Sequence, residues 1–217
     1  MQNEDDYTYI NSLRTDEELK ERIDNRQNYM PETVDAALIE LQKRGVEFTD
    51  QELDVIHADV RAHRQNAAMV DGRLGFFNSN TKNVVTLDPD APSMYSRRAL
   101  YVFTVFFGAL FGSIMLAMNI SKTAKAINAV WVILFGAAFT GLQVYIMNTY
   151  AQPGSGGSGA IIGGLIAAYC LDYLFWKNFI GYATFYRAKP IWVPLAIGVV
   201  IIGLLVLGII YGGAANK

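Results

Sequence analysis

The stretch Tyr95-Ser96-Arg97-Arg98-Ala99-Leu100-Tyr101-Val102-Phe103-Thr104-Val105-Phe106-Phe107 divides the chain in two. Residues 1–96 hold 19 Asp and Glu against 10 Lys and Arg. From Arg97 onward there is one acid, Asp172, against eight bases. The total charge of −2 therefore hides one half at −9 and another at +7. Such a split predicts one half solvated by water and the other by lipid.

Working C-terminally from Arg97, four apolar runs follow, over about 99–120, 126–147, 159–176 and 191–211. A helix rises about 1.5 Å per residue and the hydrocarbon core is about 30 Å thick, so each run is long enough to cross, the third only just. Four such runs in succession are too apolar to be the core helices of a small globular domain. Arg97, Arg98, Lys122, Lys125, Trp176, Lys177 and Trp192 sit at run ends, where an aromatic or cationic side chain reaches the headgroup zone. Gly108 and Gly112, Gly159 and Gly163, and Gly208 and Gly212 form three small-xxx-small pairs. Glycine lets helix backbones approach closely, so these six are expected to pack helices, within one subunit or between copies.

Three topologies fit the basic residues. With the N-terminus in the cytoplasm and four crossings, the loops at 121–125 and 177–190 face outward and carry five cations. The positive-inside rule then slightly favours the reverse, which requires translocating a 96-residue acidic domain that lacks the apolar core of a signal peptide. A third arrangement bends the first run at Phe107–Gly112 as a re-entrant segment. All basic loops then lie inside and the neutral Gly/Ser loop lies outside. A cytoplasmic N-terminus is the expectation.

Working N-terminally, residues 1–13 read as a disordered tail and 14–87 as an acidic soluble helical domain. Thr15-Asp16-Glu17-Glu18 is a capping box opening a helix over about 15–26. Pro31-Glu32 opens a second over 31–44, closed by Gly45, and Thr49-Asp50-Gln51-Glu52 caps a third over 49–68. Leu74–Phe77 and Val84–Leu87 read as a short hairpin, and 88–98 as a linker. The apolar stripes of these helices are narrow, so the domain is expected to lean on a partner, a second copy or the membrane surface.

The sequence holds no pattern that chemistry requires. His57 and His63 lie six residues apart on different faces of one helix, and no His lies after Arg97. Serine–histidine hydrolysis and HExxH zinc chemistry in the apolar half are therefore excluded within one chain. Asp59 with His63 gives two ligands, which do not make a metal site. Gly154-Ser155-Gly156-Gly157-Ser158-Gly159 lacks a preceding strand and a following Lys-Ser/Thr, and reads as a flexible connection. The lone Cys170 lies in an apolar run and has no disulfide partner. Asp172 stands apart, because an ionisable group in a membrane segment is costly and often lines an ion path. It either lines such a path or pairs with Lys177 or water near the interface.

Two stretches carry a resemblance. Asp24-Asn25-Arg26, Tyr29-Met30-Pro31-Glu32 and Glu40-Leu41-Gln42-Lys43-Arg44-Gly45 resemble a helical N-terminal element of small membrane proteins of the Bacteroidetes type. Phe107-Gly108-Ala109-Leu110-Phe111-Gly112, Phe175-Trp176-Lys177-Asn178 and Ile191-Trp192-Val193-Pro194-Leu195 resemble the four-helix portion of the same uncharacterised family. The resemblance implies an architecture and a bacterial source, without an activity.

The expectation is an all-α multi-pass protein of a bacterial inner membrane, with four transmembrane helices behind a small helical domain. Its expected function is non-enzymatic: an accessory or scaffold subunit whose soluble half docks a protein partner or a second copy. No catalytic residue, cofactor, metal or nucleic acid is expected, and the lipid bilayer is the one certain neighbour. The alternative is a small oligomeric channel or transporter using Asp172.

Overall fold

In a computed structural model, residues 4–70, 79–124, 126–150 and 156–214 are described. The N-terminal part is a cap of four helices. α1 spans Glu4–Ser12, α2 Asp16–Asp24, α3 Pro31–Lys43 and α4 Asp50–Ala68. Two of these start where the capping boxes predict. Thr15 and Thr49 each accept from the backbone N–H three residues on, and Glu18 and Glu52 reach back to the cap N–H. Leu19, Ile23, Val34, Leu38, Leu41, Ile56 and Val60 close the cap's own core.

The expected disordered tail is instead α1. It is held because Asn11 is fully buried and donates to the Thr33 carbonyl at 3.3 Å. The expected linker is also ordered. Asp88 accepts from the Met30 N–H at 3.1 Å, and Asp90 pairs with Arg14 at 2.9 Å and Arg22 at 2.7 Å. Its next residues, β1 (Ser93–Met94), pair in parallel with β2 (Arg187–Ala188). Val85 makes a further parallel bridge to Tyr186. The predicted hairpin is thus replaced at Val84–Leu87 by pairing to a distant loop, while Leu74–Phe77 lies outside the described residues.

The bundle follows. Ser96 caps α5 (Arg97–Phe107), accepting from the Ala99 N–H at 3.2 Å. The first apolar run does not continue as one helix. It breaks at Gly108, where φ is +92°, and α6 (Ala109–Thr123) runs back. Only glycine adopts that backbone without strain. The two legs are about 16 and 22 Å long at 1.5 Å per residue, each short of the roughly 30 Å core. Their ends are joined, since Asn119 near the end of α6 bonds the backbone of Tyr95 just before α5.

α7 spans Ala126–Tyr150 and lies antiparallel to α6, with the Leu110 N–H donating to Thr140 Oγ1 at 3.2 Å. The hairpin therefore stops partway along α7. α8 (Gly156–Cys170) continues through a widened π turn over Leu171–Trp176 into α9 (Lys177–Phe179). α10 spans Trp192–Ala214. Ala126–Tyr150 and Ser158–Phe179 are long and apolar enough to cross a membrane, and the described apolar stretch Trp192–Gly208 is shorter. Within α7 only Val132 and Gly136 are buried, the opposite of a soluble core helix. The fold is mostly helical, with two such stretches among the described residues where four were expected.

Candidate functional site: the buried Arg97–Asp172 pair

The N-cap at Ser96 puts Arg97 in the first turn of α5, and Tyr101 follows one turn later on the same face. α8 runs antiparallel beside α5 and reaches this level just as it widens. The Lys177 N–H donates five residues back to the Asp172 carbonyl, and Leu171, Asp172 and Trp176 all turn inward. Such π turns insert one residue into a helix and re-aim its side chains.

The two charges meet in fork geometry. Arg97 Nε donates to Asp172 Oδ1 at 2.9 Å and Arg97 Nη2 to Oδ2 at 2.6 Å. The Tyr101 hydroxyl donates to the same Oδ2 at 3.0 Å. The guanidinium carbon lies 4.2 Å from the centre of the Tyr182 ring. Both charged side chains are almost fully buried, at 2% and 5% exposure. An ion pair removed from water holds only when the remaining donors and acceptors are satisfied, and the Tyr101 hydroxyl and the ring face serve that end here. The cavity beside the pair is about 10 Å³, room for one water at most.

Over this pair lies the loop that receives the cap. Tyr186 packs edge-on against Trp176 at 6.1 Å, and burial pushes its hydroxyl up to about 12. Ala67 of α4 and Val84, Met94, Tyr95, Leu100, Phe103, Leu171, Trp176 and Tyr186 belong to one apolar core, which therefore crosses from the cap into the bundle.

The residues singled out by sequence fall in different places. Asp172 is paired, with Arg97 as its partner. Lys177 lies instead over the Tyr173 ring at 4.9 Å. Gly108 is the break of the hairpin. A Cβ on Gly112 would overlap Thr104 Oγ1, and one on Gly163 would lie 2.7 Å from Gln143 Nε2, so both mark close approaches. Gly159 and Gly208 have nothing within 4 Å of an added Cβ, and the surroundings of Gly212 lie outside the description. His63 packs edge-on against Phe185 at 4.9 Å. Among the described residues no three His, Cys, Asp or Glu side chains gather as a metal site.

Two functional groups escape a reading of local sequence: Tyr101 and the Asp88/Asp90 pair. One acid among eight bases signals that Asp172 needs a cation, but the choice of Arg97, 75 residues away, belongs to the fold.

Fold and site define a mostly helical protein with stretches of membrane-spanning length, in which a buried ion pair staples two helices beneath a docked cap. Comparison with protein-family models, curated proteins and solved structures found no match.

Proposed function

We propose that this chain is a non-enzymatic accessory or scaffold subunit of a bacterial inner membrane complex. The observation that carries this reading is the seating of the cap. Strand pairing at Ser93–Met94, the bridge at Val85 and the shared apolar core fix it against the bundle. A cap held at a set height presents a docking face to a partner rather than swinging over a substrate.

Other features support the reading. Both Asp172 oxygens are engaged and no space for a substrate adjoins them, which favours a stapling role over an ion path. α10 packs at Gly198 against the Phe107 ring, while Val193, Ile197, Val200 and Leu204 face outward, a surface for lipid or an intramembrane neighbour. Arg97, Lys122, Lys177, Arg187 and Lys189 all lie at the cap end, so the positive-inside rule favours a cytoplasmic cap. In this topology α5 and α6 enter and return, and α7, α8–α9 and α10 cross.

Crosslinking in intact cells, extraction in mild detergent and mass spectrometry test it. The expected result is a stoichiometric complex with a second protein or with a second copy. Recovery as a lone monomer without any crosslinked neighbour overturns it.

A further inference from the structure

Between cap and bundle lies a cavity of about 700 Å³, within the usual range for a small-molecule site. Its floor is apolar, formed by Phe179, Ile180 and Phe185. Phe179 is also the last residue of the Ser158–Phe179 apolar stretch, so the cavity opens where that stretch ends.

The charges around it are unequally satisfied. The cap wall brings Glu32 and Asp90. Asp90 is taken by Arg14 and Arg22, and Glu32 faces Arg64 at 3.6 Å. The bundle wall brings Lys122, in the last turn of α6, and Arg187 of β2. Lys189, just beyond that strand, lies close enough to Lys122 for the two charges to interact. Burial, and after it repulsion from the like charge of Lys122, holds the Lys189 ammonium below its ordinary value. Lys189 lies over the Tyr95 ring at 5.0 Å. Among the described residues no carboxylate pairs with any of these three cations. Two cations on the cavity wall, with Lys189 beside one of them, and an apolar lining at the end of a spanning helix fit an anion that carries hydrocarbon.

We propose that this cavity binds the phosphodiester headgroup of an anionic phospholipid, with Lys122 and Arg187 at the phosphate, Lys189 beside Lys122, and the acyl chains leaving along Phe179. The site rests on the membrane reading of the bundle, not on the identity of any protein partner. A lipid wedged between cap and bundle would brace the cap in its docked position.

The test uses full-length protein in mild detergent, loaded with phosphatidylglycerol or phosphatidylcholine and read by native mass spectrometry. Wild type is expected to retain phosphatidylglycerol over phosphatidylcholine. Lys122→Gln and Arg187→Gln should each lower that retention about fivefold, the ratio expected for one cation near a lipid surface. Lys177→Gln, a cation outside the cavity, should leave it unchanged. Equal retention in all variants overturns the site, as does equal retention of the two lipids by wild type. A rise in thermal midpoint with inorganic phosphate equal to that with phosphatidylglycerol shows a free anion site and overturns the lipid assignment. Recovery of the protein in the soluble fraction, checked first, sinks the membrane reading itself. Circular dichroism of each variant separates lost binding from lost fold.

Discussion

The Asn119 side-chain amide closes on Tyr95 in both directions. Its Oδ1 accepts from the Tyr95 N–H and its Nδ2 donates to the Tyr95 carbonyl, each at 2.9 Å. The side chain is fully buried and acts as a one-residue strand, tying the end of α6 to the start of α5. Without it two buried backbone groups lose their partners, at about 1–3 kcal/mol each. Asn119→Ala should therefore cost about 2–6 kcal/mol in thermal unfolding of the detergent-solubilised protein. Asn119→Asp puts a carboxylate against the Tyr95 carbonyl in a buried site, and at neutral pH should cost at least as much as Ala. A wild-type midpoint for the Ala variant would show that the hairpin closes by apolar packing alone.

At three glycines the same substitution meets three different surroundings and gives two different outcomes. Gly108→Ala meets no neighbour, yet its φ of +92° is forbidding to a side chain, so a loss of about 1–3 kcal/mol is expected. Gly112→Ala meets Thr104 Oγ1 and should cost a similar amount through overpacking. Gly159→Ala lies in α8 with open space around it and should gain up to about 1 kcal/mol from helix propensity. Thermal midpoints of the three variants in one detergent give the ranking directly.

The contrast among these glycines shows what local sequence conveys. The capping boxes at Thr15 and Thr49 are readable because donor and acceptor lie three residues apart. Gly108 is readable as a break only through the basic loops, which a bend at Phe107–Gly112 places on one side, and not from its own neighbours. Its apolar surroundings suit a continuous helix, and the turn is enforced by Asn119 on Tyr95 and by Arg97 on Asp172, contacts spanning 24 and 75 residues. The Asp88–Ser93 stretch has the Pro and Asp content of a linker. It is ordered because Asp88 and Asp90 find partners 58 to 76 residues away. α1 likewise reads as an acidic tail until Asn11 meets Thr33. Polar residues with short local targets announce themselves, and those with distant targets look like solvent-facing loop. At Asp172 the need for a partner was legible and its identity was not.

Breaking the Arg97–Asp172 pair from one side strands a buried guanidinium. Asp172→Asn or Asp172→Leu should lose about 3–5 kcal/mol of stability. Replacing both partners, Arg97→Met with Asp172→Leu, should recover most of that loss, because no charge is left buried. Proton or cation flux in liposomes should be absent in wild type and in all variants. Flux in wild type that Asp172→Asn abolishes would restore the ion-path reading.

Single cysteines report the topology, in a background with Cys170 replaced by Ala. Residues at positions 12 and 121 lie at the cap end of the bundle, and position 155 falls in sequence between α7 and α8. Ser12→Cys and Ser121→Cys should label from the same side of sealed vesicles and Ser155→Cys from the opposite side. Labelling of positions 12 and 121 from opposite sides requires the first run to cross, and is incompatible with the hairpin.

His63 gives the docked cap a pH dependence with a definite sign. It packs against Phe185 of the loop beyond α9, and burial lowers its pKa below the ordinary 6.5, while Glu32 partly opposes the shift. The unfolded chain therefore takes up a proton at a pH where the folded chain does not. Stability rises with pH wherever the unfolded state binds more protons. The contribution of His63 is thus fully present above about 6.5 and lost as pH falls from there through the lower folded value. Thermal midpoints at pH 7.5 and 5.5 should differ in the direction of acid destabilisation, and His63→Leu should reduce that difference while keeping the contact with Phe185. An unchanged pH dependence in the Leu variant would place the acid sensitivity elsewhere. Limited proteolysis across the same pH range should show the cap–bundle junction opening first, because His63 and Phe185 meet at that seam and the cap's own core in Leu19, Val34 and Leu41 holds no histidine.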